Sequence, residues 1–67
     1  MSKLLVNYNK QLQVSLDNLI KELYNVSETI NEKLEDEEPQ TSFRAELIGL
    51  IEYIRETKLN IDSIVKL

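Results

Sequence analysis

The apolar side chains in the first half of this chain recur at alternating spacings of three and four residues. The series runs without a glycine or proline, since neither occurs before Pro39. A period near 3.5 residues places these side chains along one face of an α-helix. The sequence therefore predicts a long amphipathic helix whose apolar face lies against a partner. The members of the series are Leu12, Leu16, Leu19, Leu23, Val26 and Ile30.

The apolar stripe is wider than the seam of a two-stranded coiled coil. With Leu16 at position a of a heptad abcdefg, apolar residues fill positions a and d and also much of position e. The second half of the chain repeats this arrangement in a heptad frame of its own, with Leu47, Ile54 and Ile61 at position a. A stripe of three heptad positions is typical of a helix that contacts two neighbours, as in a four-helix bundle. The e positions hold Val6, Ile20, Leu34, Ile51 and Val65.

A helix-breaking segment separates the two halves. Four consecutive acids precede Pro39, which disfavours helical geometry at the residue before it, and acids at a helix C-terminus oppose the macrodipole. We predict helix 1 at about 2–35, an acidic turn at about 36–41 and helix 2 at about 42–66, with Thr41 or Ser42 as the N-cap. A short turn makes the helices antiparallel neighbours. The predicted fold is all-α: one coiled-coil-like antiparallel two-helix hairpin over residues 1–67.

A lone hairpin of 67 residues has only a small core, and it has no cysteine to form disulfides. We expect the e-position residues Ile20, Ile51 and Val65 to be partly exposed unless a second copy covers them. The sequence therefore predicts a homo-oligomer, with a dimer favoured, that forms a four-helix bundle. The pattern is compatible with parallel or antiparallel chains. The predicted self-association core is Leu12, Leu16, Leu19, Ile20, Leu23, Val26, Ile30, Phe43, Leu47, Leu50, Ile51, Ile54, Ile61 and Ile64.

The residue types present argue against several kinds of chemistry. The chain has neither cysteine nor histidine, so it offers no thiolate zinc ligands and no imidazole for acid–base catalysis. Its serines therefore have no histidine to activate them. Residues 35–38 are all acidic but lack the ligand spacing of a calcium loop. We expect no catalytic site, no cofactor and no metal site, and we predict that the protein is not an enzyme.

The net charge of −4 is concentrated in one segment, because residues 28–38 contain six acids and one lysine. A protein that neutralises phosphates needs a basic stripe, which this chain lacks, and this argues against a nucleic-acid partner. The length and the predicted hairpin nevertheless resemble, in architecture only, the small RNA-binding Rop-type proteins, whose paired hairpins form a four-helix bundle. No motif residue of those proteins is matched. RNA binding therefore ranks third among the functions considered.

Apolar and aromatic residues outside the expected core indicate a surface for another protein. Tyrosines are included because amphipathic aromatic side chains often dominate interfaces. The acidic turn is a second candidate, for a basic protein surface. The possible partner-binding residues are Leu4, Leu5, Tyr8, Tyr24, Ile48, Tyr53 and Leu59, together with Glu35, Asp36, Glu37 and Glu38.

These features favour a small non-enzymatic interaction protein, a regulator, inhibitor or adaptor, that acts as a self-associating helical hairpin. The competing prediction is a structural subunit of a larger hetero-oligomeric helical complex. No apolar run approaches the roughly 20 residues of a membrane span. We therefore expect a soluble, cytoplasmic protein with no membrane partner.

Overall fold

The computed structural model describes residues 2–34 and 38–66, and all but the first of these residues are helical. Helix α1 spans Lys3–Leu34 and helix α2 spans Glu38–Lys66. The helices pack against each other and run in opposite directions, since Asn9 near the start of α1 contacts Asp62 near the end of α2. The described residues contain no strand. The predicted all-α helical hairpin is thus confirmed.

Ser2 caps the start of α1. Its side-chain oxygen accepts hydrogen bonds from the backbone N–H groups of Leu4 and Leu5 at 3.2 and 3.3 Å. Its carbonyl oxygen accepts the bond from the N–H of Val6 at 3.1 Å. A serine in this position supplies acceptors for N–H groups that have no partner within the helix. The cap explains why α1 begins close to the predicted residue 2.

The predicted start of the second helix is wrong. Helix α2 begins at Glu38, so residues 38–41 are helical and are not part of the turn. Pro39 is then in the first turn of α2, where its missing N–H costs no hydrogen bond and its fixed φ suits the helix. Thr41 and Ser42 lie inside α2 and do not cap it. The rest of the expected acidic turn, residues 35–37, lies outside the described residues.

The seam of the hairpin is formed by heptad positions a and e. Its buried apolar residues are Ile20, Ile51, Ile54 and Val65. Leu16 and Leu23 are partly buried and pack against the first three. The expectation that Ile20, Ile51 and Val65 would be partly exposed in one hairpin is therefore wrong. Each helix is rotated about its own axis so that e, and not d, faces the neighbouring helix.

The hairpin is a single layer of two helices. Its principal dimensions are 51 × 15 × 10 Å, and its radius of gyration is 15.6 Å. A compact domain of this length would have a radius of gyration of about 11 Å. Stable domains normally consist of at least two packed layers around a core. One hairpin therefore leaves one side of its helices without a covering layer.

Gly49 lies within α2 at an exposed position, and a Cβ atom added there would meet no other atom within 4 Å. Glycine in a helix interior costs about 1 kcal/mol relative to alanine. We expect Gly49→Ala to raise the free energy of unfolding by roughly 1 kcal/mol, measured by urea denaturation at fixed protein concentration. A loss of stability would instead show that another helix approaches this position closely.

Candidate functional site

All d positions of the two helices except Lys33 and Thr57 are apolar and exposed. Between 40 and 57% of the surface of each of these residues is accessible, even though they alternate along each helix with seam residues. Lys33 occupies the remaining d position of α1, and Thr57 that of α2. Scattered exposed apolar residues are normal, but a continuous row on each of two adjacent helices is not. We call these residues the apolar face: Leu5, Leu12, Leu19, Val26, Phe43, Leu50 and Ile64.

Both rows of the apolar face lie on the same side of the hairpin. Around a helix, heptad positions d, a and e follow one another at intervals of about 50°. The two helices run in opposite directions, so turning positions a and e of each toward the seam brings d to the same side in both. The rows therefore form one surface along the length of the single layer.

The opposite side of the hairpin is closed by polar contacts between the helices. Lys58 forms an ion pair with Asp17. Gln13 donates a hydrogen bond to the backbone carbonyl of Lys58 at 3.2 Å. The guanidinium group of Arg55 lies 5.3 Å from the ring centroid of Tyr24. These residues occupy heptad positions e and b, which distinguishes this polar side from the apolar face.

Arg44 joins α2 to α1 near the turn. Its Nε donates to the carbonyl oxygen of Ser27 at 3.2 Å and to the Oγ of Ser27 at 3.3 Å, and its Nη1 donates to Oδ1 of Asn31 at 3.1 Å. Ser27 is buried, so its hydroxyl depends on partners within the protein. A single partly buried side chain therefore supplies three contacts across the seam.

We expect Arg44→Ala to lower the free energy of unfolding by about 1–2 kcal/mol, because it removes charged hydrogen bonds to a buried serine. Urea denaturation at fixed protein concentration measures this loss. The matched control is Arg55→Ala, which removes an exposed pair with Glu52 and the contact with Tyr24. Its expected cost is below about 1 kcal/mol. A smaller loss for Arg44→Ala than for Arg55→Ala would contradict this assignment.

The pKa of Asp62 responds to a contact within α2 and to a contact with α1. Its carboxylate pairs with Lys66 at 2.8 Å and accepts a hydrogen bond from Nδ2 of Asn9 at 3.0 Å. The hydrogen bond from Lys66, followed by that from Asn9, holds the pKa of Asp62 below its ordinary value of 3.8. Folding therefore favours the ionised carboxylate.

A lowered pKa in the folded state stabilises the protein above pH 3.8, and this stabilisation is lost as the pH falls through the folded-state pKa. We expect Asp62→Asn to be less stable than the unmodified chain at neutral pH. The difference should shrink as the pH falls below about 4, because both chains then lack the charge. Unfolding curves of both proteins at neutral and acidic pH measure this. A difference that does not vary with pH would contradict the proposed role of the charge.

The residues predicted to bind another protein are divided between the two sides of the hairpin. Tyr8 and Tyr53 are exposed and, at position g, border the apolar face. Tyr24 and Ile48 lie at position b, toward the polar side. Glu38 is the first residue of α2. Leu4 and Leu59 are also exposed, on the outer surfaces of their helices, and Glu35, Asp36 and Glu37 lie outside the described residues.

The polar residues of the seam were not predicted from the sequence. Asn9, Ser27 and Gln40 are buried, and Arg44 and Gln13 make contacts across the seam. The available signal was their spacing, since all five occupy position a or e in the heptad frame of their own helix. These positions face the other helix in the structure.

Within residues 2–34 and 38–66, no group of three or more acidic side chains is arranged to hold a metal ion. In the same residues, neither helix has a stretch long and apolar enough to cross a membrane. Comparison of the chain with protein-family models, with characterised proteins and with solved structures gives no match. The candidate function therefore depends on the geometry of the hairpin alone.

Proposed function

We propose that this chain is a small non-enzymatic protein-interaction module of the cytoplasm, a regulator, inhibitor or adaptor. In this proposal two copies pair through their apolar faces into a four-helix bundle. The observation that carries it is the row of exposed apolar residues at the d positions of both helices. The absence of cysteine suits a reducing compartment.

The hairpin exposes more surface than a compact monomer of the same mass, and the excess is close to the area that one partner contributes to a dimer interface. A compact monomer of 7.8 kDa would expose about 4,400 Å². This chain exposes 5282 Å². The excess of roughly 900 Å² is close to the approximately 800 Å² that each partner contributes to a standard protein–protein interface. Pairing two hairpins would give the assembly the second layer that a packed core needs.

The free energy gained by burying the apolar face also favours association. Full burial of a large apolar side chain is worth about 1.5–3 kcal/mol, so covering the exposed half of seven such residues gives about 7 kcal/mol per copy. Two copies together gain about 14 kcal/mol, which exceeds a mid-range association cost of about 8 kcal/mol. The remainder of about 6 kcal/mol corresponds to a dissociation constant on the order of 10–100 µM.

A dimer formed in this way leaves a second surface free for another protein. Tyr24, Ile48 and Leu59 are exposed in the hairpin and do not belong to the apolar face. They lie on the polar side or on the outer surface of the helices, so a second copy on the apolar face would not cover them. In the proposed regulator or adaptor, these three residues bind the other protein.

Sedimentation equilibrium of the purified chain at concentrations from about 1 to 500 µM, with circular dichroism on the same samples, tests the proposal. We expect a dimer that dissociates on dilution and loses helical signal as it does so. A chain that stays monomeric and largely unfolded throughout would overturn self-association. That result would favour the competing function, a structural subunit of a larger helical complex that folds only with different chains.

A further inference from the structure

A cleft lies at the turn end of the hairpin. Its volume is about 330 Å³, and Ile30, Leu34, Pro39, Gln40 and Phe43 line it. Four of these five residues, all except Leu34, occupy heptad positions a, d or g, which places the cleft on the side of the apolar face. Both Phe43 and Leu34 are exposed there. The cleft is therefore a concave end to the apolar face.

The open end of the hairpin presents apolar side chains on the same side. The hydrogen bond between Asn9 and Asp62 sets the register of the two helices there. Helix α2 continues for about one more turn, to Lys66, which is therefore level with about residue 5 of α1. Leu5 and Tyr8 are exposed at this end, and both lie on or beside the apolar face.

The two ends also differ in charge. Residues 28–38, which end α1 and lead into α2, carry six acids and one lysine. Residues 2–12, at the open end, carry Lys3 and Lys10 and no acid. On α2, Asp62 and Lys66 form an ion pair and cancel each other. The turn end is thus strongly acidic and the open end is basic.

We propose that the two copies pack antiparallel, with Leu5 and Tyr8 of each copy seated in the cleft at the turn end of the other. This inference rests on the self-association proposed above. Parallel packing would bring two acidic turn ends within about 10 Å of each other, close to the screening length at physiological salt, where like charges repel. Antiparallel packing sets each acidic end beside the lysines of the other copy.

The register of the helices agrees with this arrangement. When two hairpins overlap fully in opposite directions, the start of one α1 lies over the end of the other α1. With Leu19 at the centre, Leu5 is level with Lys33 of the second copy, next to Leu34 and the cleft. In parallel packing, the start of α1 lies over the end of the neighbouring α2, and the two clefts face each other. Only antiparallel packing therefore brings Leu5 to the cleft.

Electron–electron distance measurements on singly spin-labelled chains distinguish the two orientations. The chain has no cysteine, so Asn7→Cys and Lys21→Cys each introduce one labelling site at an exposed position. Asn7 is about 12 residues from Leu19, the expected centre of an antiparallel dimer. At 1.5 Å per residue, the label-to-label distance for Asn7→Cys should be about 40 Å. For Lys21→Cys, near the centre, it should be about 20–25 Å in either orientation.

A short distance for both variants would overturn the antiparallel arrangement while leaving self-association intact. The absence of any dipolar signal from Lys21→Cys at high concentration would overturn self-association and, with it, this inference. The two failures are therefore distinguishable. Both distances are measured at a concentration at which sedimentation shows a dimer. The comparison therefore does not depend on the value of the dissociation constant.

Two neighbouring substitutions test whether Leu5 occupies the cleft. Leu5→Asp should raise the dimer dissociation constant at least about tenfold, because it removes apolar burial and places a charge beside an acidic end. The control is Leu4→Asp, which makes the same change at a more exposed residue outside the apolar face, and it should leave the constant within about twofold. Equal effects of the two substitutions would overturn the assignment of the cleft.

Discussion

Replacing Leu19 with aspartate is expected to abolish self-association and to cause most of the helical signal to be lost at roughly 500 µM, a concentration at which the unmodified chain is expected to be mostly dimeric. Leu19 lies at the middle of the apolar face, where two copies would bring the same residue together around their symmetry axis. A pair of buried, unpartnered carboxylates costs several kcal/mol, which exceeds the estimated net gain of the interface. Sedimentation equilibrium and circular dichroism measure the two losses.

Val14→Asp is the matched control for this prediction. Val14 is 61% exposed and lies at position f, on the outer surface of α1, whereas Leu19 is 41% exposed. If the isolated hairpin were the functional form, both exposed positions would accept aspartate at similar, small cost. We expect Val14→Asp to keep the dissociation constant within about twofold. A dimer that is unaffected by Leu19→Asp would show that the apolar face is not the interface.

Replacing Ile51 with alanine is expected to lower the free energy of unfolding by about 3–4 kcal/mol. Ile51 has no exposed surface and packs with Ile20 and Ile54 at the centre of the seam. Truncation of a buried isoleucine typically costs 2–5 kcal/mol, through lost burial and the cavity that remains. For a protein of this size, such a loss is a large fraction of the total stability. Urea denaturation at fixed chain concentration measures it, since association contributes to the apparent stability.

Ile48→Ala provides the comparison for Ile51→Ala, because it removes the same atoms from the same helix one turn away. Ile48 is exposed at position b. Its truncation should therefore cost less than about 1 kcal/mol. Comparable losses for the two variants would mean that α2 presents a different face to α1, and that position e is not in the seam.

The period of the sequence determined the fold class. Alternating spacings of three and four, uninterrupted by glycine or proline through α1, allow only a long amphipathic helix, and a short break before a second such pattern gives a hairpin. The start of α2 was placed too late because Pro39 was read as a helix breaker. Proline is in fact well suited to the first turn of a helix, and that is where the structure places it.

The heptad spacing also predicts which residues share the apolar stripe, because it fixes their angular positions around the helix. The edge of that stripe that faces the other helix is known only from the packing of the two helices. A stripe spanning d, a and e can meet its neighbour through d and a or through a and e, and both choices bury similar aliphatic residues such as Leu19 or Ile20. Polar groups separate these alternatives: Arg44 and Lys58, at position e, find partners on α1 when e is in the seam. Those contacts depend on residues distant in sequence, and they leave position d exposed.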